Sequence, residues 1–272
     1  MTLRLGLIGD NIAASRAPAL HILAGEQNGI AVTYDRLVPA TLGATFEQVF
    51  RTCQSDGYRG LNITYPYKER AVSLVRIDDP LVRAMGAVNT VLFEADGPVG
   101  YNTDHSGFVA AYRAVRGEDD TGPVLMIGAG GVGRAVAFGL ATLGTKELRL
   151  VDRDHDKAVA LADALAPFGM HVTIFDDADV AAKGVAGLIN CTPVGMVGYA
   201  GTPLSGTAMR GADWAFDAVY TPVNTKFFTD AAASGLTVIS GWELFLFQGI
   251  HAWSLFSDLP VDAAYLRKNL SV

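Results

Sequence analysis

Short apolar runs alternate with longer mixed stretches along this chain. Leu3 to Ile8, Val32 to Val38 and Gly60 to Thr64 read as strands. Pro18 to Asn28 and Thr45 to Ser55 read as the helices between them, with Pro18 tolerated in a first turn. The same alternation resumes further on. Pro123 to Ile127, Glu147 to Val151, His171 to Phe175, Gly187 to Asn190, Trp214 to Val219 and Leu236 to Ile239 have the character of buried strands, and Arg134 to Leu143 that of a helix ended by Gly144. Strands alternating with helices predict an α/β protein with two mostly parallel sheets. The most apolar stretch, Leu244 to Phe256, is broken by Gln248 and His251, and no run reaches the ~18–20 residues of a membrane helix.

The segment Gly128-Ala129-Gly130-Gly131-Val132-Gly133 follows one of these strands and opens a helix. A second strand then ends in Asp152, about twenty residues further on, where a dinucleotide-binding βαβ unit places the acid that meets a ribose 2′-hydroxyl. Each glycine has a separate duty in such a unit. Gly128 makes the tight turn off the strand, Gly130 lets backbone amides approach the pyrophosphate, and Gly133 lets helix and strand pack closely. The helix N-terminus adds free N–H groups and the positive end of its dipole. With 30 glycines in the chain the triplet alone is weak, and the flanking strand, helix and acid carry the reading.

Composition narrows the partners. The 272 residues fit two domains of ordinary size, half of them are hydrophobic, and the net charge of −7 argues against a nucleic-acid or anionic-membrane partner. Cys53 and Cys191 form no CxxC or zinc spacing, so no metal site is expected, and both are expected to stay reduced in the cytoplasm. Met1 to Asp10 reads as a strand and loop rather than a secretory signal, in keeping with that location.

Polar residues cluster where strands end. Ser15, Asn62, Thr64, Lys68, Asn89 and Asp104 lie at such places, and in a parallel sheet they would converge on one cleft. Each also has a plain structural explanation. Asn and Thr at strand ends satisfy backbone groups, a lone lysine is commonly solvated, and an Asp before a helix is commonly an N-cap. Gln248 on an apolar helix face is a satisfied core amide or a substrate contact, and the residues leave both open.

Taken together, Gly6-Leu-Ile-Gly9, Asn62-Ile-Thr64-Tyr-Pro66-Tyr-Lys68, Gly86-Ala-Val-Asn89-Thr90, Asn102-Thr103-Asp104, Gly128-Ala-Gly130-Gly131, Asn190-Cys-Thr192-Pro193-Val-Gly195-Met196, Asp217-Ala-Val-Tyr220 and Gly241 with Gln248 resemble the shikimate/quinate dehydrogenase family over essentially the whole chain. The resemblance implies a substrate domain of residues 1–104 plus 241–272, a Rossmann-like domain of residues 105–240, and C-terminal helices that return to the first domain. It implies that Lys68 and Asp104 are the catalytic pair, that Asn62, Thr64, Asn89, Tyr220 and Gln248 hold ring hydroxyls, and that Ser15 holds the carboxylate. The cofactor would lie on residues 128–133, Asp152, Arg153, Thr192, Val219 and Gly241. The reaction implied is reversible hydride transfer between a ring hydroxyl of a hydroaromatic acid and a nicotinamide dinucleotide, with a homodimer left open.

Two departures from the family pattern stand out. Asp152-Arg153-Asp154 replaces the Asn-Arg-Thr that meets a 2′-phosphate, which favours NAD and leaves NADP open through Arg153. Ser15-Arg16-Ala17-Pro18 lacks the second hydroxyl of the usual carboxylate clamp. The alternatives are a dehydrogenase for an amino- or otherwise altered shikimate analogue, and a non-catalytic sensor of such acids.

Overall fold

The computed structural model describes residues 2–270. They form two compact units, one made of the chain up to Thr103 with the stretch from Leu246 onward, the other of Asp104–Phe245. In the first, β1 (Thr2–Ile8), α1 (Ala17–Gln27), β2 (Ala31–Leu37), α2 (Phe46–Ser55) and β3 (Gly60–Ile63) follow one another close to the bounds that the apolar pattern predicts. Thr45 caps α2 through a reciprocal pair: its hydroxyl accepts from the Gln48 amide at 3.2 Å, and the Gln48 side chain accepts from the Thr45 amide at 2.8 Å. Phe46, Val49, Phe50 and Cys53, at i, i+3, i+4 and i+7, make the buried stripe of this helix.

A short 3₁₀ turn (Arg70–Leu74) and α3 (Pro80–Met85) lead into β4 (Thr90–Glu94) and β5 (Gly97–Tyr101). The five strands lie in the order β2-β1-β3-β4-β5. β1 is parallel to β2 and β3, and the β4–β5 hairpin extends the sheet antiparallel. The hairpin grows from the two motifs that look like polar loops in the sequence. Their polar residues sit at its open end, and the apolar Val91, Leu92 and Val99 between them are buried. One face of the sheet packs Ile8, Leu61, Ile63 and Val91 against Phe46 and Phe50. The other packs Leu5 and Leu92 against Ala252 and Phe256 from the C-terminal part of the chain.

Helix α4 (Thr103–Arg116) leads into the second unit. There β6 (Val124–Ile127), α5 (Gly131–Thr142), β7 (Glu147–Val151), α6 (His155–Leu165), β8 (His171–Ile174), α7 (Ala178–Ala181), β9 (Gly187–Asn190), β10 (Trp214–Asp217), α8 (Lys226–Ala233) and β11 (Thr237–Ser240) build a six-stranded sheet, order β11-β10-β9-β6-β7-β8. Every pairing in it is parallel. The chain runs outward from β6 to β8, then restarts beside β6 with β9 and runs outward the other way. This is the doubly wound order, and its switch point lies between the C-terminal ends of β6 and β9.

Buried aromatic pairs hold α4 to this sheet: Phe108 meets Phe216 edge-on at 5.0 Å, and Tyr112 meets Trp214 at 5.2 Å. Helix α9 (Gly241–Ser257) then carries the chain back into the first unit, where α10 (Ala263–Asn269) packs near α1. Among the described residues no helix is long and apolar enough to cross a membrane.

Candidate active site

The second unit offers its candidate ligand groups at the switch point. Gly128 adopts φ +107°, and a side chain there would lie 2.8 Å from the Cys191 carbonyl and 3.1 Å from the Thr192 amide nitrogen. A side chain at Gly133 would strike the Gly128 carbonyl, so helix and loop touch backbone to backbone. Gly130 differs from both. A Cβ built there meets nothing within 4 Å, and α5 begins at the next residue with no side-chain cap. The uncapped first-turn amides of α5 beside this open space form a cradle that fits a pyrophosphate.

Asp152 stands at the end of β7, half-buried. One carboxylate oxygen accepts from the Ala129 amide at 2.5 Å and the other from the Asp154 amide at 2.8 Å. The acid thus fastens the glycine-rich loop, and the Ala129 amide is committed to it. Arg153 is exposed.

On the other side of the switch point, Thr192 gives both its amide (2.9 Å) and its hydroxyl (2.7 Å) to the Asn190 side-chain oxygen. Asn190 in turn donates to the Val194 carbonyl at 3.1 Å and to Asp217 at 3.0 Å. Asp217 is fully buried at the end of β10 and also accepts from the Val219 amide at 3.1 Å and from the Thr225 hydroxyl. Burial pushes its carboxyl up to about 6 against the pull of these three donors. The strand expected to reach Val219 stops at Asp217 because that side chain draws the Val219 amide back upon itself. Gly241 packs on this turn: a Cβ there would lie 2.7 Å from the carbonyls of Ala218 and Val219. Tyr220, half-buried, stacks on Phe245 at 5.0 Å, and Asp104 lies buried in the first turn of α4.

In the first unit two of the candidate residues, Asn62 and Asn89, meet in one buried network. The Asn62 oxygen accepts from the Tyr34 hydroxyl at 2.8 Å, and its amide donates to Thr90 at 3.2 Å. Thr90 donates to the Asn89 oxygen at 3.0 Å, which also accepts from the Thr103 amide at 2.7 Å. The Asn89 amide returns a bond to the Thr103 hydroxyl at 3.0 Å. The start of α4, one residue before Asp104, is thereby fixed. Lys68 is half-buried, and its carbonyl accepts from the Val88 amide at 2.9 Å, which ties it beside Asn89. The Thr64 side chain covers Gly9, where a Cβ would strike the Thr64 methyl. Gln248 sits half-buried on α9.

At the start of α1 the Ser15 hydroxyl accepts from the Ala17 amide at 3.3 Å, and the Ser15 carbonyl accepts from Arg36 at 2.8 Å. Ala17 itself is buried.

A family model for the shikimate dehydrogenase substrate binding domain matches residues 7–91. Over 97% of its length the chain is 35% identical to a quinate/shikimate dehydrogenase (NAD(+)) of Corynebacterium efficiens, covering 95% of that protein. The chain belongs to the shikimate/quinate dehydrogenase family. Family members differ in the cofactor they are named for: a shikimate dehydrogenase (NADP(+)) of Pseudarthrobacter chlorophenolicus is 34% identical over 97% of this chain and 93% of its own. The fold agrees with the family throughout. Quinate dehydrogenase from Corynebacterium glutamicum in complex with NAD superposes with a TM-score of 0.90 at 32% identity, covering 98% of both chains.

Several residues of these two networks were given no role from sequence. Tyr34, Thr90 and Thr103 complete the first network, and His21 stacks on Tyr34 at 5.2 Å. Asn190, Asp217 and Thr225 complete the second. Their signal was the company of Thr192 and Tyr220 in the same motifs, but an Asn or Asp closing a strand reads first as a turn former.

Proposed function

We propose that this chain is a cytoplasmic, NAD-preferring dehydrogenase that moves a hydride reversibly between a ring hydroxyl of shikimate or quinate and the nicotinamide. Bound NAD supplies the hydride acceptor. The chain's own residues must hold the acid and manage the proton that leaves the hydroxyl. Lys68 and Asp104 form the pair that handles that single proton. Asn89 and Thr64 hold ring hydroxyls, Asn62 does so through the amide N–H beyond the one given to Thr90, and Tyr220 and Gln248 complete the set. Ser15 offers its hydroxyl proton to the carboxylate, since its oxygen already accepts from Ala17.

The substrate domain read as residues 1–104 plus 241–272 corresponds to the first unit, and the dinucleotide domain read as residues 105–240 to the second, with Asp104 and residues 241–245 falling in the second unit. The glycine-rich loop and α5 hold the pyrophosphate, and Asp152 takes the ribose hydroxyls beside Arg153. Thr192, Val219 and Gly241 line the nicotinamide end.

The observation that carries this reading is the Asn62–Thr90–Asn89–Thr103 network. It immobilises two candidate hydroxyl-binding amides and the residue before Asp104, with the backbone of Lys68 bonded beside Asn89. A chain that only sensed such acids would not require a lysine and an acid supported in this way.

Steady-state kinetics with shikimate and quinate, each with NAD and NADP, tests the proposal. Turnover of at least one acid is expected, with NAD favoured. No turnover of either acid with either cofactor, in a chain that binds them, would move the reading to the sensor.

A further inference from the structure

Asp217 is the most enclosed acid of the second unit, and no candidate role in the reaction uses it. Its three donors come from three segments: Asn190 closes β9, Val219 follows β10, and Thr225 caps α8 by accepting from the Phe228 amide at 3.0 Å. One step outward, Asn190 sets both polar groups of Thr192 and the Val194 carbonyl. One step beyond that, the Cys191–Thr192 backbone is the surface against which Gly128 turns, and the Val219 carbonyl is the floor on which Gly241 opens α9. The path from Asp217 to the glycine-rich loop thus runs through hydrogen bonds and a close backbone approach.

We propose that Asp217 is the positioning residue of the dinucleotide site, holding the loop after β9 and the turn after β10 in the only register that leaves the glycine-rich loop its shape. The proposal rests on the reading of this unit as a dinucleotide domain. Its working part is acceptor geometry rather than charge. One oxygen, Oδ1, takes both the Asn190 and Val219 donors, and the other takes the Thr225 hydroxyl. An asparagine can keep the first oxygen in place and donate from its amide to Thr225. An alanine leaves three buried donors without an acceptor.

The test is a fluorescence titration with NADH and NADPH, without any acid substrate, on the parent and on Asp217→Ala, Asp217→Asn, Thr225→Val and Thr225→Ser. Each titration is run well below that variant's own thermal midpoint. Asp217→Ala is expected to weaken binding of the preferred dinucleotide by ~10-fold or more, comparable to losing one or more buried hydrogen bonds. Asp217→Asn should restore it to within about threefold of the parent. Thr225→Val should weaken it less than Asp217→Ala does, and Thr225→Ser should match the parent. Folded Asp217→Ala binding as the parent does would overturn the proposal, as would Asp217→Asn binding no better than Asp217→Ala. If Asp217→Ala fails to fold, the Thr225 pair decides, because serine keeps both the bond to Asp217 and the α8 cap. Equal binding by folded Thr225→Val and Thr225→Ser then overturns it. A parent that binds neither dinucleotide would sink the cofactor reading itself, an outcome distinct from parent-like binding by the variants.

Discussion

Exchanging Asp152 for asparagine is the most direct probe of cofactor choice, and the structure makes its outcome two-sided. The carboxylate that would repel a 2′-phosphate also accepts from the amides of Ala129 and Asp154. For the repulsion, two unit charges ~5 Å apart at an effective dielectric of ~20 interact by about 3 kcal/mol. Asp152 is only half-buried, so salt and water reduce this to roughly 1–2 kcal/mol, or about five- to thirtyfold against NADP in the parent. For the support, an asparagine has one acceptor oxygen. One of the two amides then faces an NH₂ group and loses a hydrogen bond worth ~1 kcal/mol, which loosens the loop for both dinucleotides.

The expected result is that Asp152→Asn lowers kcat/KM with NAD by about fivefold while shifting the NAD/NADP ratio toward NADP by about five- to thirtyfold. The assay is initial-rate kinetics with each cofactor at saturating acid, plus direct titration of both reduced cofactors so that binding is read apart from turnover. A parent equally efficient with NADP, or a variant whose ratio stays put, would refute the electrostatic account and give the choice to Arg153. A changed ratio with no loss toward NAD would refute only the supporting role.

Lys68→Ala should fold as the parent does and lose ~10²–10⁴-fold in turnover, and retention of more than about half the parental kcat would remove Lys68 from the proton step. Ala17→Ser should lower the KM for shikimate with little change in kcat if a clamp hydroxyl is missing. Since Ala17 is buried, an unchanged KM with a small loss of thermal stability would instead assign position 17 to packing.

Acid stability has two opposed contributions. His21, fully enclosed, has its imidazole pushed down to about 3 by burial. Its contribution is present above the unfolded value of ~6.5 and is lost as pH falls toward 3, on the order of 5 kcal/mol in all, so His21→Gln should flatten the fall in thermal midpoint between pH 6.5 and 4. Asp217 has the opposite sign. Its raised carboxyl contributes stability that is full below the unfolded ~3.8 and is lost as pH rises through about 6, so Asp217→Asn should gain on the parent most near neutral pH. An Asp217→Asn advantage that shrinks as pH rises would contradict that sign.

The alternation of short apolar runs with helical stretches was enough to foresee both units, because buried parallel strands leave an uninterrupted apolar signal. Gly128, Gly133 and Asp152 were legible for a related reason: a backbone turn, a close approach and a strand-end acid each admit few residue types. The β4–β5 hairpin was not, because its short strands are framed by Asn89, Asn102 and Thr103, whose polarity dominates a short window. The pairings between residues far apart along the chain were the least visible. Asn62 gains its meaning from Tyr34 and Thr90, twenty-eight positions away on either side, and Asp217 from Asn190, twenty-seven positions before it. No local pattern encodes such a pairing, and only the strand order brings the partners side by side.

That strand order also explains why the polar hubs lie where they do. In the second sheet Asn190 pairs in register with both Ile127 and Asp217, so the last residues of β6, β9 and β10 form one row at the sheet edge. A row of backbone ends needs something to fix the loops that leave it, and apolar side chains fix volume without fixing direction. Hydrogen bonds fix direction, but an enclosed carboxylate costs free energy even with three donors, as its raised pKa shows. The first sheet meets the same need with neutral amides and hydroxyls, through Asn62, Thr90 and Asn89. A neutral network would serve the second sheet equally if stability were the only demand. The acceptor-only character of Asp217, able to take three donors at once, is what an amide could match only by reversing one bond, and the Asp217→Asn titration measures whether that reversal is tolerated.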